Sequence, residues 1–163
     1  RIAPGTVSDA LAINVDFAPT FLHLAGVPVP GDMQGRSLAP LFGKASPEGW
    51  RDAIYYHYYH DPGHHDTRAH LGIRADTHKL IHFWRKDQWE LFDLVKDPDE
   101  MRNLAGEAAQ QLQVEALLAK LKAQQAVFGD TLPLTVADPK PATWTPPSAD
   151  EPKAKKKGKN QAK

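Results

Sequence analysis

Between Ile54 and Leu94 the chain holds four strand-like segments whose connections are too short to carry a crossover helix, and this limits the fold more than any other feature. The segments are Ile54-Tyr55-Tyr56-His57-Tyr58-Tyr59, rich in aromatic residues, then Leu71-Gly72-Ile73-Arg74, Lys79 to Trp84 and Trp89 to Leu94. The breaks Ala75-Asp76-Thr77-His78 and Arg85-Lys86-Asp87-Gln88 are polar and hairpin-sized. Parallel pairing needs a connection of about a dozen residues or more, so an antiparallel meander is the natural topology. After the turn signal Asp97-Pro98-Asp99-Glu100, the residues Val114, Leu117, Leu118, Leu121 and Phe128 recur at helical spacing with Glu, Lys and Gln between them, ending at Gly129. A sheet with one buried face needs a cover, and a helix directly after its last strand supplies one. The expected class is α+β: a small antiparallel sheet of about four strands covered by a C-terminal helix.

Upstream, Asp16 before Phe17, Ala18, Pro19 and Thr20 reads as an N-cap with proline in the first helical turn. Phe21, Leu22, Leu24 and Ala25 supply the apolar face of this short helix, and Gly26, with Pro28 and Pro30 beyond, supplies its stop. Residues 28–50 are rich in Pro, Gly and Ser and read as an ordered loop with one helical turn near Leu38 to Phe42. The chain opens on Arg1 rather than Met, with a Pro/Gly turn and no signal-peptide pattern behind it, and is expected to begin mid-protein. From Ala137 onward prolines and then lysines dominate, too little apolar surface to offset ordering entropy, so this stretch is expected to be disordered.

The net charge of zero hides an asymmetry, with +5 on residues 140–163 and −5 on the rest. The lysines come without aromatic interleaving, so a solubilising terminus is the reading and nucleic acid is not an expected partner. No run approaches the roughly 18 apolar residues needed to cross a bilayer as a helix. The sequence has no cysteine, which removes disulfides, thiolate nucleophiles and Cys-based zinc sites together.

The segment Asn14-Val-Asp-Phe-Ala-Pro-Thr-Phe-Leu-His-Leu-Ala-Gly-Val27, continuing through Met33-Gln-Gly-Arg-Ser-Leu-Ala-Pro-Leu-Phe42, resembles a stretch of sulfatases. So do Tyr55-Tyr-His-Tyr-Tyr59, His70-Leu-Gly-Ile-Arg74, Lys79-Leu-Ile81, and Trp89-Glu-Leu-Phe-Asp-Leu94 with Asp97-Pro98, Glu100 and Asn103. Together they look like the C-terminal subdomain of sulfatases that act on sulfated glycans such as glycosaminoglycans, of the arylsulfatase and N-sulfoglucosamine sulfohydrolase kind. The resemblance implies three parts. Residues 1–50 would be the end of an alkaline-phosphatase-like α/β domain with its connecting loop. Residues 51–130 would form the C-terminal subdomain, and residues 131–163 the Pro/Lys-rich tail. It also implies a formylglycine nucleophile, made within a Cys/Ser-x-Pro/Ala-x-Arg motif, and a calcium ion, both in an N-terminal part upstream of Arg1. None of the serines at 8, 37, 46 and 148 stands in that motif. A periplasmic or secreted location is implied by the same resemblance.

Five of the eight histidines, His57, His60, His64, His65 and His70, fall within fourteen residues. In one reading the loop from Asp61 to Ala69 reaches over a substrate pocket, with histidines and Arg74 donating to sugar hydroxyls or sulfate oxygens. In the other the loop is a solvated hairpin and Arg74 pairs with Asp76 or Asp93. A zinc site is a third idea, but spacing without a rigid scaffold fixes no geometry. The resemblance singles out His70, just before Gly72 and the Arg-bearing strand, as a substrate contact. Arg74, His64 and Tyr58 are further substrate-binding candidates. The tyrosines of the first strand either stack on sugar rings or pack, one face inward and one half-exposed.

The expected function is a sulfatase fragment that completes the fold, lends a wall to the pocket of a sulfated carbohydrate, and is inactive alone. The alternative is a non-catalytic, sulfatase-derived module for binding or association. The apolar face at Phe17, Phe21 and Leu24 favours the fragment, because a free-standing module would carry polar residues there.

Overall fold

In the computed structural model residues 2–43, 47–59 and 67–134 are described, and their architecture is α+β. The expectations for the tail from Ala137 onward, and for His60, His64 and His65 in the loop, fall outside these residues. Helix α1 spans Phe17–Leu24. Strands β1 (Ala53–Tyr58), β2 (His70–Ala75), β3 (His78–Phe83) and β4 (Gln88–Asp93) follow, and helix α2 spans Gln111–Phe128. The strands form one four-stranded sheet in sequential order with every pair antiparallel, the expected meander.

Register divides the side chains between two faces. Tyr58 stands opposite His70, Tyr56 opposite Gly72, and Leu71 opposite His82, so odd positions of β1 and β2 join even positions of β3 beneath α2. There Ala53, Leu71, Ile73, Leu80 and Leu91 meet Leu117 and Leu121 of the helix in one core. Each fully buried leucine contributes about 1.5–3 kcal/mol relative to exposure. Gly129 ends α2 in the left-handed conformation at φ 65°, and the Asp130 amide then donates to the Gln125 carbonyl at 2.9 Å. Leu132 and Leu134 also pack on this core, with the Leu132 carbonyl accepting from the Gln125 side chain at 3.2 Å. The apolar residues thus continue one turn past the helix before the Pro/Lys-rich stretch.

The outer edge of β4 is stitched by one side chain. Asn103 accepts from the Leu91 amide through Oδ1 at 3.0 Å and donates through Nδ2 to the Trp89 carbonyl at 3.0 Å, so it stands in for a fifth strand. The turn that delivers it is closed by Asp97, whose Oδ2 accepts from the Arg102 amide at 2.9 Å. The residues Asp97-Pro98, Glu100 and Asn103 therefore serve the sheet edge. The hairpin between β3 and β4 is braced by His82, fully buried, stacked on Trp89 at 3.8 Å and bonded through Nε2 to Asp87 at 3.1 Å.

The N-terminal segment is organised differently from its expected capped helix. Asp16 precedes α1, yet its carboxylate makes no capping bond. It is fully buried, accepts from the amides of Ile13 (2.9 Å) and Arg36 (2.8 Å), and takes a two-pronged ion pair from the Arg51 guanidinium, one prong at 2.7 Å. Burial alone would push its carboxyl up; Arg51 and the two amides outweigh that and hold it below its ordinary value. Thr20 extends the knot by donating to the Asp16 carbonyl at 2.6 Å and accepting from the Leu38 amide at 2.8 Å. Gly35 passes so close to the Val15 carbonyl that a Cβ there would overlap it. The α1 face carrying Phe17 and Phe21 points outward, at 55% and 67% exposure.

Candidate functional site

The sheet face away from α2 carries the candidates Tyr58, His70 and Arg74. Tyr58, His70 and Phe83 lie side by side across β1, β2 and β3, because the same register that pairs Tyr58 with His70 brings Phe83 alongside. The His70 ring stacks on Tyr58 at 5.6 Å and 21°, lies against Phe83 at 5.4 Å, and meets the edge of Tyr56 at 5.8 Å. Its Nδ1 is 2.7 Å from the Arg68 carbonyl. Three rings and one backbone bond thus hold one half-buried imidazole beside the segment that enters β2.

Tyr56 lies across Gly72, where any Cβ would strike the phenol ring and come within 2.8 Å of the Leu80 carbonyl oxygen. This is what the glycine of Leu71-Gly72-Ile73 is for. Burial, with the carboxylates of Glu100 and Glu90 nearby, raises the Tyr56 phenol well above its ordinary value. Glu90 is itself raised by burial against the opposing pull of Lys79 and His70. Lys79 forms an ion pair with Glu100. The face is therefore an aromatic floor edged by a small set of coupled charges.

The site candidates read from the sequence separate in space. Tyr58 and His70 come together. Arg74 shares their face but sits four residues further along β2, about 13 Å away at the usual rise of a strand. There it is exposed and lines a cleft of about 570 Å³ with Asp76, Trp50, Arg51 and Asp52. Asp93 is not its partner: the Lys96 ammonium, at 3.0 Å, and the amides of Lys96 and Val95 hold that carboxyl down to about 2. His64 lies outside the described residues.

His57 stands on the opposite face from His70, which keeps the two from sharing a metal ion. Its Nδ1 is 2.6 Å from Asp130, which also accepts from the Tyr55 hydroxyl. Among the described residues no group of three His, Asp or Glu converges as metal ligands. Sequence reasoning missed Tyr56, Phe83 and Glu90 as neighbours of His70, and Lys79 further along the same face opposite Arg74. Strand parity was the signal for them, since all four fall on the even–odd set opposite the leucine core.

A protein-family model described as N-sulphoglucosamine sulphohydrolase, C-terminal, matches residues 1–127. The chain belongs to this sulfatase family. It is 46% identical over 136 residues to an N-acetylglucosamine-6-O-sulfatase of Bacteroides thetaiotaomicron, covering 81% of this chain and 24% of that protein. It is 32% identical to arylsulfatase K of Xenopus laevis, covering 69% of this chain and 22% of the relative. The solved structure of BT4656 in complex with its substrate D-glucosamine-2-N,6-O-disulfate superposes with a TM-score of 0.77 at 44% identity, over 82% of this chain and 28% of that one. This sulfatase chain thus spans about a quarter of the length of the relatives it matches.

Proposed function

We propose that this chain completes a sulfatase that hydrolyses sulfate esters, or an N-sulfate, of a glycan, and that it walls the substrate pocket with His70. The observation that carries the reading is the aromatic frame around His70. An imidazole held by Tyr58, Phe83, Tyr56 and a backbone carbonyl is preorganised for contact with a polar ligand. The family membership, with relatives named for sulfated glucosamine, gives the class of ligand. Arg74 and Tyr58 are assigned lesser roles, Arg74 in a neighbouring cleft and Tyr58 through the stack beneath His70.

Bond breaking is assigned to the part of the protein upstream of this chain. A formylglycine needs a cysteine or a suitably placed serine, and this sequence offers no cysteine and no serine in the required motif. Among the described residues no three His, Asp or Glu side chains converge to hold a calcium ion. The outward apolar face at Phe17 and Phe21 is assigned to docking on that upstream domain, which favours this reading over a free-standing binding module. A periplasmic or secreted location belongs to the same proposal.

The test is His70→Ala in the complete enzyme, assayed on D-glucosamine-2-N,6-O-disulfate and on N-acetylglucosamine 6-sulfate. A fall of about tenfold or more in kcat/KM with unchanged thermal unfolding supports the reading. Unchanged kinetics on both sugars would overturn the role of His70. Arg74→Ala is expected to lower kcat/KM by less than His70→Ala.

A further inference from the structure

Residues 140–163 hold seven lysines against Asp150 and Glu151, a net of +5, while the rest of the chain carries −5. From Lys153 to Lys163 the lysines stand with no acidic residue among them. On net charge alone, a polysulfated glycan is repelled by the body of this chain and attracted by its end. These lysines lie outside the described residues, but the described ones fix where the chain departs toward them. Asp130, just past α2, bonds to His57 near the end of β1, and the rings of His57 and Trp84 meet edge to face at 6.5 Å. Leu132 and Leu134 then pack on the same core as Trp84. Arg85, its guanidinium 4.9 Å from the centre of the Trp84 ring, lies at this end of the sheet with Lys86. Arg68, whose carbonyl meets His70 at the start of β2, lies there too. The chain therefore leaves the fold from a basic end.

The residue types select the partner. Lysine is a point charge on a long stem without a planar fork, suited to many sulfates spaced along a polymer and not to one oriented sulfate in a pocket. Ala154, Gly158, Asn160, Gln161 and Ala162 separate the lysines. No aromatic ring follows Trp144 to stack on bases, and no apolar run follows it to enter a bilayer.

We propose that the C-terminal lysines, with the basic end of the sheet from which they leave, tether the polysulfated glycan chain at a distance from the sugar being hydrolysed. The inference rests on the reading of this chain as part of a glycan sulfatase and adds a second, non-catalytic contact with the same substrate. Residues 135–163 span at most roughly 100 Å when extended, so the lysines reach beyond the sheet and its helix. Holding one stretch of the polymer raises the concentration of its sulfated residues at the pocket.

The test uses the complete enzyme and a sextuple variant in which Lys153, Lys155, Lys156, Lys157, Lys159 and Lys163 are each replaced by Gln. Both are titrated with size-fractionated heparin, a polysulfated glycan containing glucosamine, at physiological and raised salt, and both are assayed on N-acetylglucosamine 6-sulfate. The variant should bind heparin about tenfold more weakly, with a shallower dependence of log Kd on log salt because fewer counterions are released. Its kcat/KM on the monosaccharide and its thermal unfolding should match the native enzyme. Lys86→Gln should weaken heparin binding about twofold to threefold, and unchanged affinity there overturns the part assigned to the sheet end. Equal heparin affinity in the native enzyme and the sextuple variant overturns the tether. So does a native enzyme that binds duplex DNA or phosphatidylserine vesicles as tightly as heparin. If the native enzyme hydrolyses neither sulfated monosaccharide, the glycan-sulfatase reading itself fails, an outcome that the heparin titration does not share.

Discussion

The two halves of this chain are built on opposite plans. In the sheet and its helix, leucine and isoleucine fill the interior at Leu71, Ile73, Leu80, Leu91, Leu117 and Leu121. In the segment around α1 a carboxylate is buried, that of Asp16, ringed by a guanidinium and two amides, with Thr20 bonded to the backbone carbonyl of the same residue, while the phenylalanines stand outside. The first region gains its stability from removing its own apolar surface from water. The second spends buried polar bonds on holding a fixed shape that still offers apolar surface to something else. Hydrogen bonds and a forked ion pair fix the geometry of that segment more tightly than they stabilise it.

The contrast is sharpest in the response to truncation. Arg51→Ala leaves the buried Asp16 carboxylate without its cation and should cost about 3–5 kcal/mol in urea unfolding. Leu121→Ala in the apolar half should cost about 2–5 kcal/mol by opening a cavity, with the loss unaffected by salt. If Arg51→Ala costs no more than an exposed substitution, the polar interior is not what holds the segment. Asn103→Ala, which leaves the Leu91 amide and the Trp89 carbonyl unmet at the sheet edge, should cost about 1–3 kcal/mol. Acid separates the halves next. Asp16 is held below its ordinary value when folded, so its contribution is complete above the unfolded carboxylate pKa near 3.9 and is lost as pH falls through the lower folded value. Tryptophan fluorescence should therefore report loosening at Trp50, whose indole donates to the Leu11 carbonyl at 2.9 Å, before the core signal of α2 melts. The smallest effect is expected at Phe21→Ser, within about ±0.5 kcal/mol of the native stability, with lower self-association of the isolated chain in sedimentation.

The apolar half was legible in the sequence because its information is local. Alternation marks the strands, short polar breaks mark their connections, and Val114, Leu117 and Leu121 with Gly129 mark the helix and its end; the observed strands differ from the expected ones by a residue or two. The polar half was not legible. Asp16 before Pro19 looks like an ordinary cap, and nothing near it announces a partner at Arg51 or an amide at Arg36. Such pairs are made by the path of the loop between them. The place of His70 at the start of a strand was legible, while the separation of Arg74 from it and the arrival of Phe83 beside it followed only from register. The histidine run, which looks like one cluster in sequence, is divided by parity: His57 turns under α2 to Asp130 and His70 turns to the other face.

Tyr56 laid flat across Gly72 has a consequence for how such a chain can change over time. The dependence runs one way: any side chain at 72 evicts the phenol, whereas a small residue at 56 still leaves the Leu80 carbonyl oxygen 2.8 Å from where a Cβ at 72 would stand, so the glycine remains required. Related sequences should therefore keep the glycine even where position 56 varies, and a designer who alters Gly72 would also displace the Tyr56 ring whose edge meets His70.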